Sequence, residues 1–201
     1  MKKLIFSLTV LLLATSAINA VGPYKAGDNV SDFSLKNIKG EMYSLSKATD
    51  AKGFIVVFSC NTCPVVIKYE ERIKDLHKEF SSKGYPVVAI NSNDKGVSPG
   101  DSYEAMQKAA KAKGFSFEYL YDENQEVARS FGATNTPHVY LLSKNGDELK
   151  VEYTGAIDNN ADNASNADKK YVADAIYALL KEEEVPVNST KAIGCTIKWK
   201  K

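Results

Sequence analysis

The apolar positions of this chain switch between two spacings. Gly53-Phe-Ile-Val-Val-Phe-Ser59 is an unbroken apolar run, the pattern of a strand covered on both faces. Directly after it, Val66, Tyr69, Ile73, Leu76 and Phe80 recur at intervals of 3, 4, 3 and 4, a single stripe along a helix that Lys83-Gly84 ends. Tyr85 to Ile90 is a second buried strand, with Pro86 tolerable at its start. Beyond a loop at 91–100, Asp101 with Glu104 reads as a capping box for a helix to about Lys113, closed by Gly114. Phe117 to Tyr121 predicts a short strand, and Asp122 with Gln125 caps a short helix ending at Phe131-Gly132. Val139 to Leu142 and Leu149 to Tyr153 flank Lys144-Asn-Gly-Asp147, a hairpin signal, and Tyr171 to Lys181 predicts the last helix. Upstream, Val30 to Leu35 and Glu41 to Leu45 read as two strands across a turn at Lys39-Gly40.

Strands therefore alternate with helices until a final hairpin and helix. This order predicts an α/β fold: an N-terminal β-hairpin, then a central mixed sheet flanked by helices, with one antiparallel edge. No repeat or linker interrupts it, so residues 21–201 read as one domain with a C-terminal tail at 185–201.

Composition narrows the choice by exclusion. A 201-residue chain that is 44% hydrophobic can bury a full core. With 26 basic against 25 acidic side chains it carries no field to attract nucleic acid or an anionic membrane surface. The first twenty residues stand apart. Lys2 and Lys3 precede an apolar run from Leu4 to Ala14, and small residues lead to Ala20, the pattern of a signal peptide over residues 1–20. The run is shorter than the roughly 20 residues a membrane span needs. A secreted or periplasmic protein follows as the expectation, with no stable membrane insertion after cleavage and with disulfides able to persist.

The candidate chemistry begins at Cys60-Asn-Thr-Cys63, where the first buried strand turns into the first helix. Unpaired N–H groups at a helix start favour a thiolate at the first sulfur, and the second lies close enough to close a short disulfide. Pro64 fits the first turn. A structural disulfide or half a zinc site is the competing reading, but no second Cys/His pair supplies zinc ligands. Asp158-Asn-Asn160-Ala-Asp162 has the acidic spacing of a calcium loop, yet Asn163 and Lys169 stand where glycine and a bidentate glutamate belong, so a polar loop is expected. No metal and no cofactor is called for. His138 reads as a contact residue beside the cysteines, or as a metal ligand or proton shuttle.

The third cysteine is Cys195. Cys195, Ile197 and Trp199 alternate with Thr196 and Lys198, so they share one face of an extended segment laid against the body of the protein. The expectation is a Cys60–Cys63 bond with Cys195 a free, buried thiol. The competing reading makes Cys195 a third redox thiol brought near Cys63 by the returning tail.

About seventy residues after the CxxC comes Phe131-Gly-Ala-Thr-Asn-Thr136-Pro137-His138 before an apolar strand and hairpin. This resembles the thioredoxin superfamily, in which a cis-proline packs against the disulfide. Further marks are Gly27-Asp-Asn-Val-Ser-Asp-Phe33, Cys60-Asn-Thr-Cys63-Pro64, Asn91-Ser-Asn-Asp94, Gly155-Ala-Ile-Asp158 and Gly194-Cys-Thr-Ile-Lys-Trp199. These resemble the peroxiredoxin-like (alkyl hydroperoxide reductase/thiol-specific antioxidant) redoxins, and imply a thioredoxin-like fold with a helical insertion.

That resemblance implies an extracytoplasmic thiol–disulfide oxidoreductase in which Cys60 attacks and Cys63 resolves, while Thr136, Pro137 and His138 bind substrate. Protein or small-molecule thiols and disulfides, and a membrane or soluble partner that recycles the CxxC, are the expected partners. Thiol peroxidase activity and copper carriage by two cysteines and a downstream His are the alternatives. Peroxidatic cysteines have Thr or Ser three residues earlier and Pro seven earlier; before Cys60 those places hold Val57 and Gly53, and before Cys63 they hold Cys60 and Val56. The buried acid of thioredoxins is missing from the Gly53–Ser59 strand. Glu70 or Glu71 could replace it, although both are expected on the solvated side of the helix.

Overall fold

A computed structural model of the chain describes residues 22–201; the expected signal peptide lies outside them. The strands are β1 (Asn29–Val30), β2 (Ser34–Asn37), β3 (Met42–Ser44), β4 (Gly53–Ser59), β5 (Val87–Asn91), β6 (Glu118–Tyr121), β7 (Asn135–Thr136), β8 (His138–Asn145), β9 (Glu148–Gly155) and β10 (Cys195–Thr196). The helices are α1 (Pro64–Phe80), α2 (Tyr103–Lys113), α3 (Glu126–Phe131) and α4 (Tyr171–Leu180). Eight strands form a mixed sheet in the order β1-β9-β8-β4-β5-β6-β2-β3, and β10 with β7 forms a separate small ladder.

β4 sits at the centre because all seven of its residues are buried. Its side chains alternate between two cores. Ile55 and Val57 join the stripe of α1, Met106 and Ala110 of α2, and Val172 and Ile176 of α4. Phe54, Val56 and Phe58 face the other way, onto Phe131 of α3, Tyr140 and Ile197 of the tail. Each such side chain contributes about 1.5–3 kcal/mol by leaving water. β4, β5 and β6 run parallel, as the intervening helices require, and β8 returns antiparallel against β4.

Two expectations about the strands change. Val30 to Leu35 is not one strand: Asn29–Val30 pairs with β9, whereas Ser34–Asn37 pairs with β3 and β6. Both ends of the sheet are consequently antiparallel, not one. The carboxylate of Asp32 lies in the break and accepts the backbone N–H groups of Phe33 and Leu45, which end the first segment and tie it to β3.

The two predicted capping residues also do something else. Ser102, not Asp101, caps α2, accepting the N–H of Ala105. Asp122 reaches past Gln125 to accept the N–H groups of Val127 and Ala128, and Ser92 donates to it as well. Gly132 closes α3 in the left-handed conformation at φ 75°, where a side chain would run into Pro23.

Candidate active site

The CxxC loop joins the C-terminal end of β4 to α1. Cys63 is the N-cap of α1 and Pro64 its first residue, where a missing N–H leaves no hydrogen bond unmade. Cys60 therefore precedes the helix by one short turn. The N–H groups of Thr62 and Cys63 still point at its sulfur, and Thr136 Oγ1 lies 3.3 Å from it. Burial outweighs these contacts and pushes the Cys60 thiol up from its ordinary range, with the charge of Asp101 adding to the effect. The helix start favours a thiolate here, and burial in the folded protein works against it.

The residues between the cysteines are held by an aspartate that sequence reading assigns to a helix cap. Asp101 is fully buried and accepts four hydrogen bonds. They come from the N–H of Asn61 at 2.6 Å, Thr62 Oγ1 at 2.8 Å, Ser98 Oγ at 2.6 Å and Asn93 Nδ2 at 2.8 Å. Asn61 is pinned on its other side as well, donating to the Gly100 carbonyl and accepting from the Tyr119 hydroxyl at 3.0 Å. Tyr119 is buried completely, which raises its pKa well above 10 and keeps it a donor. The Asn91-Ser-Asn-Asp94 mark explains itself here, since Asn91 and Asn93 bind the carbonyl and carboxylate of Asp101. Ser98, Asn93 and Asn91 are local partners, but nothing near Asp101 in sequence reveals its hold on the CxxC loop, because Asn61 and Thr62 lie about forty residues upstream.

Glu70 and Glu71 separate. Glu71 points to solvent and pairs with Lys74, as expected. Glu70 does not: its side chain is 14% exposed, pairs with Lys113, and lines a cavity of about 10 Å³ with Cys60 and Tyr119. A space of that size matches roughly one water.

The largest correction concerns the disulfide. Cys63 is bonded to Cys195, with Cα atoms 6.0 Å apart across 132 residues of sequence, and Cys60 is the free thiol. The expected Cys60–Cys63 bond with a free Cys195 is not what the fold presents. Strand pairing is the reason. β10 runs antiparallel to β7 with Cys195 opposite Thr136, which brings the tail across the end of α1. Cys63 Sγ lies 3.3 Å from the Thr136 carbonyl oxygen, so all three cysteines meet around Thr136. The alternation read for the tail does hold, with Ile197 buried, Trp199 partly buried and Thr196 and Lys198 exposed.

The Thr136–Pro137 peptide is cis, as expected, and sits against the cysteines. Thr136, read together with Pro137 and His138 as binding substrate, is paired instead with Cys195 of the protein's own tail, and the contacts continue upstream along β7. Ile197 N–H donates to the Thr134 carbonyl at 2.9 Å, and Asn135 Nδ2 to the Gly194 carbonyl at 3.0 Å. His138 turns away from the cysteines. Its Nε2 meets Thr154 Oγ1 at 3.1 Å, its ring lies on Tyr140, its Nδ1 has no partner among the described residues, and burial lowers its pKa to about 4. Among the described residues no three His, Cys, Asp or Glu side chains gather where a metal ion could be held. The calcium-like loop is instead a structural anchor: Asp158 accepts from Arg72 Nη1 at 2.6 Å and the Tyr69 hydroxyl at 2.9 Å.

A central mixed sheet, a CxxC at the start of the helix after its middle strand and a cis-proline facing it define a redoxin of the thioredoxin fold. More narrowly, the chain belongs to the AhpC/TSA family, whose model matches residues 26–153. Thiol-disulfide oxidoreductase ResA of Geobacillus kaustophilus is 24% identical over 131 residues, covering 65% of this chain and 70% of that protein. The crystal structure of an uncharacterized conserved protein from the same organism superposes with a TM-score of 0.80 at 36% identity, over 87% of this chain and 92% of that one. Peroxidoxin BcpB from Mycobacterium tuberculosis shares the fold, with a TM-score of 0.57 at 22% identity over 79% and 97% of the two chains.

Proposed function

We propose that the protein is an extracytoplasmic thiol–disulfide oxidoreductase acting on protein or small-molecule disulfides. The observation that carries this reading is a free thiol, Cys60, held three residues from a disulfide under a cis-proline. Thiol and disulfide are the two reactants of exchange, and here one loop, fixed by Asp101, presents both. In the reducing direction a recycling thiol first reduces the Cys63–Cys195 bond to two thiols; Cys60 then loses its proton and attacks a substrate sulfur, and the substrate's other sulfur leaves as thiolate and takes up a proton. Cys63 then attacks Cys60 in the mixed disulfide and releases the second substrate sulfur. Thr136 supports Cys60 through its hydroxyl, and the Glu70-lined cavity offers a water-sized space for the proton. The ResA relative, a thiol-disulfide oxidoreductase by name, supports the same chemistry. For location, the support is the signal-like pattern of residues 1–20.

Family membership raises peroxide reduction as a second reading, and the site speaks against it. Neither Cys60 nor Cys63 has the Thr or Ser three residues earlier and the Pro seven earlier that a peroxidatic cysteine carries, and the chain's two arginines are engaged elsewhere, Arg72 with Asp158 and Arg129 over Trp199. Insulin reduction driven by dithiothreitol, run beside peroxide consumption, tests both. Cys60→Ser is expected to abolish disulfide exchange and Cys63→Ser to trap a covalent adduct with substrate. Equal turnover by wild type and Cys60→Ser refutes the mechanism, and fast peroxide consumption with a cysteine sulfenic acid reverses the ranking.

A further inference from the structure

We propose that Cys195 is a third redox residue, which takes the disulfide over from the CxxC and leaves Cys60 free. This inference rests on the oxidoreductase reading above and extends it to a third residue.

Three observations carry it. The sulfurs are gathered on one residue, Thr136, which contacts Cys60 through its hydroxyl, Cys63 through its carbonyl and Cys195 through strand register. Cys60 and Cys63 are each only 3% exposed, whereas Cys195 is partly exposed, so the bond to Cys195 carries the disulfide towards the surface. Finally, the tail is docked by contacts that owe nothing to the disulfide. Lys198 N–H donates to Asn93 Oδ1, and its carbonyl accepts from both Asp94 N–H and Gln125 Nε2, each at 2.8 Å. Upstream, Thr190 is stitched to Thr154 and Tyr153. These contacts are expected to keep Cys195 beside Cys63 in the reduced protein, as an internal attacking thiol requires.

The step balances without any further reagent. After substrate reduction the loop holds a Cys60–Cys63 bond and Cys195 is a thiol. Cys195 loses its proton to solvent and attacks Cys63 Sγ. The Cys63–Cys195 bond forms, the Cys60–Cys63 bond breaks, and Cys60 leaves with the electron pair and takes up a proton. No net oxidation occurs. The structure, with Cys63–Cys195 closed and Cys60 free, is the end state of this relay.

The test follows bonds rather than activity. Fully reduced protein is mixed with one equivalent of oxidised glutathione, quenched with acid and alkylated under denaturing conditions at increasing times, and its disulfides are mapped by mass spectrometry. The expected order is Cys60–Cys63 first, then Cys63–Cys195 with Cys60 alkylated. Cys195→Ser is expected to stop at Cys60–Cys63; should that variant not fold, the wild-type time course decides alone. Wild-type protein that ends at Cys60–Cys63 with Cys195 alkylated overturns the proposal. So does a Cys63–Cys195 bond that forms equally fast in Cys60→Ser and wild type, which would make it a structural staple. Failure of insulin reduction with both bonds appearing in order would sink the substrate reading and leave the relay standing.

Discussion

Replacing Asp101 by Asn separates two roles that the structure gives to one buried carboxylate. Among the described residues Asp101 has no cationic partner; it is satisfied by four donors from Asn61, Thr62, Ser98 and Asn93. Hydrogen bonds to a charged group contribute roughly 1.5–3 kcal/mol each. Asparagine keeps one acceptor for Asn61, and the hydroxyls of Thr62 and Ser98 can rotate to accept from its amide. The amide of Asn93 cannot, because donor would face donor. The net destabilisation works out at about 2–4 kcal/mol, the loss of one or two charge-assisted bonds. In a urea titration this is a midpoint shift of about 1–2 M. The second effect has the opposite sign. The negative charge of Asp101 helps raise the Cys60 pKa, so its removal lowers that pKa. Alkylation of Cys60 by iodoacetamide, measured against pH in folded protein with the Cys63–Cys195 bond intact, is expected to shift to lower pH. A variant within about 0.5 kcal/mol of wild type, with an unmoved alkylation profile, refutes the argument that this carboxylate both builds and restrains the loop.

Three further outcomes are expected. His138 has a folded pKa of about 4 against an ordinary 6.5, so as pH falls through that window the unfolded chain takes up a proton that the folded one refuses. Stability should drop by about 2–3 kcal/mol between pH 7 and pH 4.5, and His138→Phe should remove most of that drop in paired urea melts. Gly194→Ala places a Cβ 2.0 Å from the Thr136 carbonyl oxygen, so β10 is expected to lift from β7 and Cys195 of the reduced protein to alkylate faster than in wild type. Phe131 meets Tyr24, Phe33, Phe58 and Tyr140 edge-on, and Phe131→Ala should lower stability by about 3–5 kcal/mol in denaturant, a loss under 1 kcal/mol contradicting its place at the centre of that core.

Local pattern alone determined much of this protein. The apolar run 53–59 and the stripe from Val66 to Phe80 predict β4 and α1 almost to the residue, because burial on two faces or on one stripe leaves a period in the sequence. The site begins between them, and the alternation of Cys195, Ile197 and Trp199 already lays the tail against the body. What the tertiary structure decided are the pairings between distant segments. Asp101 looks like a helix cap until the fold carries the Asn61 N–H to within 2.6 Å of its carboxylate. Glu70 and Glu71 are neighbours in sequence, and only the position of Lys113 on α2 and of Cys60 on the preceding loop gives one of them an inward role. The choice of Cys195 over Cys60 as the partner of Cys63 depends on β10 settling opposite Thr136, 132 residues of chain after the cysteine it joins. Periodicity reports which face of a segment is buried; it carries no term for which other segment buries it, and that is where the identity of the disulfide was set.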